Sequence, residues 1–365
     1  MATATSTQKR RYTRDDWDDF AHTGPGTLAG RYMRTFWHPV YRSQDLAPEQ
    51  TRPLCIMSEQ LTLYRGRGGT PSAVAFRCAH RGTQLSVGKV EGENLRCYYH
   101  GWMYDGSGQC VEQPAEPHPF CEKIRIRSYP TQEYLGMVWL YMGDGESPPL
   151  PRFPEFETGA LNVVVYPRSA CNFFNRMENA VDEAHVQFVH STGLSGVPTI
   201  EARETAYGIA ISGIWPDGHG SGAHYQVPNA SEFKARDLVK IAWRVPIDDE
   251  HYMSFNVEST ARVRSGEGVL ADDIGKQILA GDLRVEDLEG MHNLFEVQDY
   301  VAQVGQGVIA PRRYDHLGAA DVGVALMRKI WARELRALAE GKPLKQWKRP
   351  DRMAWADEPG WADIE

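Results

Sequence analysis

No apolar stretch in this chain approaches the roughly 18 uninterrupted residues of a helical membrane span. Long basic runs are equally scarce. A formal net charge of −8 lacks the positive surface that nucleic acid needs, which excludes it as a partner. The late cations Lys342, Lys345, Lys348, Arg349 and Arg352 are interleaved with acids and read as a solvated face. The opening residues, Met1–Arg11, are polar and carry no apolar core, so a secretory signal is not expected and a cytoplasmic protein is. Internal repeats are absent. The sole glycine-rich run, Gly218-His-Gly-Ser-Gly222, lies between two strand-like segments and opens no helix, so it fails the context of a dinucleotide fingerprint. The chain is therefore expected to take its electrons from another protein rather than from its own NAD or flavin. Cysteine is sparse too, with six in 365 residues, too few for a disulfide framework at this length.

Two of those six carry most of the meaning. Cys78-Ala-His80 and Cys97-Tyr-Tyr-His100 are separated by sixteen residues, and each pair offers one thiolate and one imidazole. Two His and two Cys suit a [2Fe–2S] centre in which imidazoles replace two thiolates on one iron, raising its potential. A structural Cys₂His₂ zinc site wants the same donors. Zinc fingers, however, group Cys with Cys and His with His rather than one of each per loop. The remaining Cys55, Cys110, Cys121 and Cys171 read as buried thiols.

Residues 178–190 suggest a second centre. His185 and His190 are candidate ligands of one ion, although a regular helix would leave residues five apart about 140° from each other. The helix must therefore end or bulge between them. Asn179, Asp182 and His185 follow at three-residue steps, which predicts one helix face, with the Asp182 carboxylate taking the ring N–H of His185. Two His and one carboxylate with open positions form the ligand set of non-haem Fe(II) oxygenases. Spacing alone leaves Asp299 and Glu296 both open as the carboxylate.

Between about 40 and 145, short apolar runs (Leu61–Tyr64, Ala73–Phe76, Met137–Tyr141) punctuated by Gly, Pro and Asp predict a small antiparallel β unit. The proline-rich Ser147–Pro154 marks a boundary, since proline cannot join a ladder. Longer strands are expected at Val163–Tyr166, Tyr207–Ile214, Val239–Val245 and Tyr252–Val257. Helices follow at 283–303 and 319–341, the latter with a core stripe at Val322, Leu326, Ile330, Leu335 and Leu338. The last twenty residues read as an extended tail packed on the surface.

These motifs resemble the catalytic α subunit of Rieske non-haem iron ring-hydroxylating oxygenases, across roughly residues 30–340. The cluster pairs match Cys-x-His and Cys-x-x-His, and Asp182, His185 and His190 match Asp-x-x-His-x₄-His. Gln298-Asp299 with Gln306-Gly307 matches the region of the third ligand, so the resemblance selects Asp299. Gly24–Gly30 and Tyr314–Gly318 look most like the phthalate-type, α-only branch. The resemblance implies an α+β architecture: an N-terminal segment (1–34), a small antiparallel-β Rieske domain (35–147) and a helix-flanked antiparallel-sheet, helix-grip catalytic domain (148–365). It implies a [2Fe–2S] cluster on Cys78, His80, Cys97 and His100, and a mononuclear Fe(II) on His185, His190 and Asp299. It gives Asp182 and Asn179 catalytic roles, with Asp182 bridging His185 to His100 of a neighbouring subunit in a homotrimer. O₂, an aromatic substrate and a separate NAD(P)H-dependent reductase, with or without a ferredoxin, complete the implied system. An electron carrier or sensor without turnover is the alternative. Phe173, Phe174, Phe188, Trp243, Phe255 and Phe295 are candidate pocket residues, and Arg168 and Arg176 are candidate carboxylate clamps.

Overall fold

The computed structural model describes residues 14–157, 161–190, 196–218, 220–235, 238–259, 266–267, 272–288 and 294–355. Its helices are α1 (Arg14–Trp17), α2 (Leu28–Met33), α3 (Phe173–Asn179), α4 (His185–Val189), α5 (Asp272–Ala280), α6 (Leu294–Gly305) and α7 (Val322–Ala339).

The first half is built from three small antiparallel sheets. Thr51–Ile56, Glu59–Arg65, Pro71–Ala75 and Ser128–Tyr129 form one, and Trp37–Arg42 pairs with Met137–Tyr141 in another. The third joins Lys89–Glu91, Asn94–Arg96, Met103–Tyr104 and Cys110–Glu112; Cys97 sits in its own loop before Met103 and Cys78 in the connection that enters it from Pro71–Ala75, both over one apolar cluster.

The second half is one eight-stranded sheet. Its order is Thr199–Glu204, Gly208–Ile214, Gly220–Gln226, Ala230–Ala235, Leu238–Pro246, Tyr252–Ser259, Leu161–Ser169 and Gly266–Glu267. All neighbours are antiparallel except the last pair. Alternation decides its two faces. Ile241, Trp243 and Val245 point into the main core, as do Phe255 and Val257 of the next strand. Lys240, Arg244, Ser254 and Asn256 lie on the opposite face, toward α5 and α6. The main core is continuous across the proline-rich stretch: Trp139 and Phe153 each pack edge to face on Trp243, at 5.1 and 5.2 Å. The first half is further tied to the sheet by Met57 and Ser58 amides donating to Pro246 and Ile247 carbonyls.

Gly30 needs its missing side chain, because a Cβ there would stand 2.2 Å from the Thr23 carbonyl oxygen. Thr27 caps the helix around it by accepting from the Gly30 amide at 3.0 Å.

Several expectations need correction. Within the helix expected at 283–303, Val285–Leu288 is a short 3₁₀ turn and α6 covers Leu294–Gly305, while residues 289–293 lie outside the described residues. In α7 the buried face runs through Val324, Met327, Ile330, Trp331 and Leu335, with Val322, Leu326 and Leu338 only half-buried at its margin. Besides the two-residue Gly266–Glu267, three strands of this sheet were not anticipated: Thr199–Glu204, Gly220–Gln226 and Ala230–Ala235. Their glycine- and serine-rich or charged sequences have weak strand preference, and hairpin pairing supplies the order instead. The tail has no helix or strand over 346–355, and Met353 and Trp355 are buried against Tyr207. His219, His292 and the remainder of the tail lie outside the described residues.

Candidate active site

The two cysteine loops are built alike. In each, the glycine four residues after the cysteine donates its amide back to the cysteine carbonyl: Gly82 to Cys78 at 2.9 Å and Gly101 to Cys97 at 3.2 Å. Both glycines hold a left-handed backbone, φ +74° and +73°, which closes such a turn without strain. The turns bring two buried thiols and two imidazoles together. His80 and His100 ring centres are 4.5 Å apart, and His80 stacks on Trp102 at 4.6 Å. Burial pushes the Cys78 thiol up, and Cys97 adds to that, so two thiolates side by side would need a cation between them. The buried Nδ1 of His80 has no hydrogen-bond partner among the described residues. Two crowded sulfurs and an orphaned imidazole nitrogen suit a cluster held by these four side chains. The other four cysteines are free thiols, Cys110 and Cys171 buried and Cys55 and Cys121 partly so.

The second centre lies where α3, α4 and α6 meet. Asn179, Asp182 and His185 do not share one helix face, contrary to the three-residue spacing. α3 ends at Asn179, Asp182 sits in the turn that follows, and His185 is the first residue of α4. Nor does the Asp182 carboxylate take the His185 ring N–H; it stands 3.9 Å away. It accepts the Ala184 and His185 amides instead, at 2.9 and 3.4 Å, capping α4. The His185 Nδ1 partner is the Asp182 backbone carbonyl. As expected, α4 ends at His190, which frees its imidazole to swing toward His185.

His185, His190 and Asp299 therefore converge, with one donor atom from each lying within 4.8 Å of the others. Asp299 Oδ1 is 3.6 Å from His185 Nε2 and 3.2 Å from His190 Nε2. Three donors about 2.1 Å from one ion at right angles stand about 3 Å apart, so this spacing suits a metal. Tautomers agree as well. A carbonyl only accepts, so His185 donates through Nδ1 to Asp182 and His190 through Nδ1 to Gln298 Oε1 at 3.1 Å. Both Nε2 lone pairs are thereby left for an ion. Burial alone would raise the Asp299 carboxyl, but the adjacent Arg176 charge outweighs it and holds it well below the usual carboxylate range. Asp299 is thus an anion at any working pH. Arg176 lies 3.5 Å from its second oxygen, and the Asn179 amide donates to Oδ1 at 3.2 Å. Glu296 lies apart, accepting from Tyr166 at 3.4 Å.

Asp299 also forms part of the wall of a cleft with ≈ 570 Å³ of open space, solvent mouth included. Its lining differs from the aromatic expectation. Phe173 and Phe174 are core residues around Trp331, and Trp243 and Phe255 face the core side of the sheet. Phe188 is exposed, while Phe295 lies over His190 at 4.7 Å. Arg168 is an exposed side chain near Asp248, and Arg176 is committed to Asp299. The cleft is lined instead by Tyr166, Lys240, Arg244, Tyr252 and Gln303, among others. Charged residues alternating with Ile241, Trp243 and Val245 on one strand were the available signal.

Comparison with known proteins agrees with this geometry. Residues 36–130 match the family model described as a Rieske [2Fe-2S] domain. The chain is 30% identical to the oxygenase subunit of 5,5'-dehydrodivanillate O-demethylase from a Sphingobium, covering 90% of this chain and 81% of that one. It is also 30% identical to the α subunit of phenoxybenzoate dioxygenase from Ectopseudomonas oleovorans, covering 87% and 84%. The terminal oxygenase of carbazole 1,9a-dioxygenase from a Novosphingobium shares the fold, with a TM-score of 0.66 at 20% identity over 92% of this chain and 97% of that one. Cluster loops and a two-histidine, one-carboxylate centre thus occur together in a chain whose relatives are oxygenase subunits along most of their length. The protein belongs to the Rieske-type oxygenases, enzymes that pair a [2Fe–2S] cluster with a mononuclear iron.

Proposed function

We propose that this chain is the terminal oxygenase of a multi-protein system that hydroxylates or O-demethylates an aromatic substrate bearing a carboxylate or methoxy group. The observation that carries the reading is the convergence of His185 and His190 on Asp299, which itself lines a cleft, in a chain that also bears the cysteine–histidine loops. The relatives named as an O-demethylase and a phenoxybenzoate dioxygenase support the aromatic assignment. In this reading Cys78, His80, Cys97 and His100 hold the cluster, and His185, His190 and Asp299 hold the iron. Boundaries at 1–34, 35–147 and 148–365 separate the leading segment, the cluster domain and the catalytic domain.

When bound, the two iron groups supply single-electron transfer and activation of O₂, chemistry that side chains cannot perform. The protein does the rest. Gln298 and the Asp182 carbonyl fix the imidazoles, and Arg176 and Asn179 hold Asp299 in place. The cleft beside Asp299 orients the ring and restricts water. Asp182 stays about one-quarter exposed after capping α4, and in this reading it meets His100 of a neighbouring subunit in a homotrimer. Electrons arrive from a separate NAD(P)H-dependent reductase, directly or through a ferredoxin, in the cytoplasm.

Single turnover of anaerobically reduced protein under ¹⁸O₂ tests this, with aromatic acids, methoxy-aromatics and heterocycles as the panel and mass spectrometry as the readout. One or two labelled oxygens in a product, or loss of a methyl group, support it. Iron-loaded protein that reoxidises without labelling any substrate points to the electron-carrier alternative.

A further inference from the structure

Three cations, Arg176, Lys240 and Arg244, enter the cleft beside Asp299. Arg176 is paired with Asp299 at 3.5 Å, and Lys240 with Glu258 at 3.4 Å. Arg244 is 6% exposed. Among the described residues no carboxylate comes within ion-pair distance of it, and its guanidinium donates to the neutral Asn256 Oδ1 at 3.3 Å. The acids of the cleft are engaged elsewhere: Asp272 with the Ala170 amide at 2.8 Å and Glu296 with Tyr166. A buried charge is ordinarily paired, because leaving water without a counter-charge is costly. A second buried group is also unsatisfied. Gln303, 2% exposed on α6 and lining the same cleft, has no partner for its Nε2 donors among the described residues.

We infer that Arg244 and Gln303 form a seat for one carboxylate of the substrate, at the wall of the cleft built by the sheet and α6. Guanidinium is suited to this, since its planar fork meets a carboxylate with two parallel bonds. Burial, and then the nearby Arg176 charge, push the Arg244 guanidinium down to about 10, the direction expected of a cation short of a counter-charge. Because Arg176 and Lys240 are already neutralised, the cleft offers one anionic seat and not two. Aromatic monocarboxylates are therefore favoured over their neutral amides and over dicarboxylates, whose second charge would face Glu296 and Asp299. An acid seated on Arg244 lies within a cleft that Asp299 also lines, on the side of the proposed iron.

This inference rests on the oxygenase reading for its chemistry, but the seat is tested by binding alone. The test is anaerobic calorimetry of full-length holoprotein with 3-methoxybenzoate, 3-methoxybenzamide and isophthalate, using wild type, Arg244→Met, Arg244→Lys and Gln303→Leu. The wild type should bind the monocarboxylate at least about tenfold more tightly than either of the others. Arg244→Met should weaken it by about 100-fold, Arg244→Lys and Gln303→Leu by less, with the amide unaffected. Equal affinity of the wild type for 3-methoxybenzoate and 3-methoxybenzamide, including no measurable binding of either, overturns the seat. So does unchanged 3-methoxybenzoate affinity in both Arg244→Met and Gln303→Leu, whose cluster absorption reports folding. Iron content and O₂ uptake of the same preparations separate the two readings. Carboxylate selectivity without mononuclear iron would sink the oxygenase reading and spare the seat; iron-loaded, O₂-consuming protein indifferent to the carboxylate would do the reverse.

Discussion

Replacing Tyr104 by Phe should lower the reduction potential of the cluster by about 40 mV. Tyr104 is fully buried, with its hydroxyl 3.2 Å from Cys78 Sγ. That hydroxyl accepts the Ala79 amide at 3.1 Å, so its own proton points away from that donor and toward the sulfur. Burial, followed by the adjacent Cys78, raises its pKa far above the usual range, so the proton stays in place at any working pH. A cysteine sulfur bound to iron carries no proton and can only accept. One added electron makes that sulfur more negative and strengthens the bond, so the bond favours reduction. A hydrogen bond to a charged group is worth about 2 kcal/mol, and if roughly half distinguishes the two redox states, about 1 kcal/mol is at stake. For one electron, a tenfold change in equilibrium, or about 1.4 kcal/mol, corresponds to about 59 mV, which gives about 40 mV. A redox titration followed by circular dichroism or electron paramagnetic resonance reads the shift directly. A potential unchanged to within about 10 mV, or one that rises, would refute both the bond direction and the placement of Cys78 on the cluster.

Asp299→Ala should remove the mononuclear iron and abolish turnover while leaving the cluster spectrum intact; retention of iron and activity would disprove the ligand assignment. Glu232 is fully buried on the strand Ala230–Ala235, and burial lifts its carboxyl to about 7 despite Arg349 at 3.1 Å. A raised acid holds its proton more tightly folded than unfolded, so its contribution is full below about pH 4.5 and fades as pH rises through 7. Glu232→Gln should therefore remove about 3 kcal/mol of pH dependence over that window, measured as the wild-type-minus-variant difference in denaturant unfolding. A difference flat to within about 1 kcal/mol would contradict this placement of the charge. If electrons pass between subunits, mixing inactive His100→Ala and His185→Ala chains should restore activity; a mixture as inactive as its parts would argue against the bridge through Asp182.

Both donor loops were legible because Cys and His are rare and their spacing is local. The turn that closes each loop needs only its own five residues, with Gly82 and Gly101 in the left-handed backbone. The break between α3 and α4 was not legible. Convergence of two histidines five apart demands only an interruption after His185, where α4 stops at Val189, and Ala180-Val-Asp-Glu-Ala184 contains neither Pro nor Gly to announce an earlier one. Asp182 supplies it, turning its carboxylate onto the amides of the next helix rather than onto an imidazole. Asp299, more than 100 residues downstream of His190, is brought back by the packing of α6 on α3 and α4, which no local spacing encodes. Hence only resemblance distinguished it from Glu296.

The cleft was the least legible part, and the reason is geometric. Aromatic residues near the histidines in sequence were the natural guess, yet Phe173 and Phe174 point away from the metal site because α3 turns its apolar face to Trp331. What remains on the other side of α3 is Arg176, one turn on from its capped start at Asn172. That residue then ties the metal site to the cleft: by pairing with Asp299 it uses up its own charge, so a substrate anion must look to Arg244 for a partner. The strand register decides which residue that is. Arg244 pairs with Ser254 and Ala242 with Asn256, so polar groups of two strands gather on one face while Trp243 and Phe255 fill the other. A shift of one residue in the strand Leu238–Pro246 would bury the cation in the main core and turn the Trp243 indole into the cleft. Substrate preference in this enzyme is thus set by register as much as by residue choice, and conserving the charge of Arg244 matters only while that pairing holds.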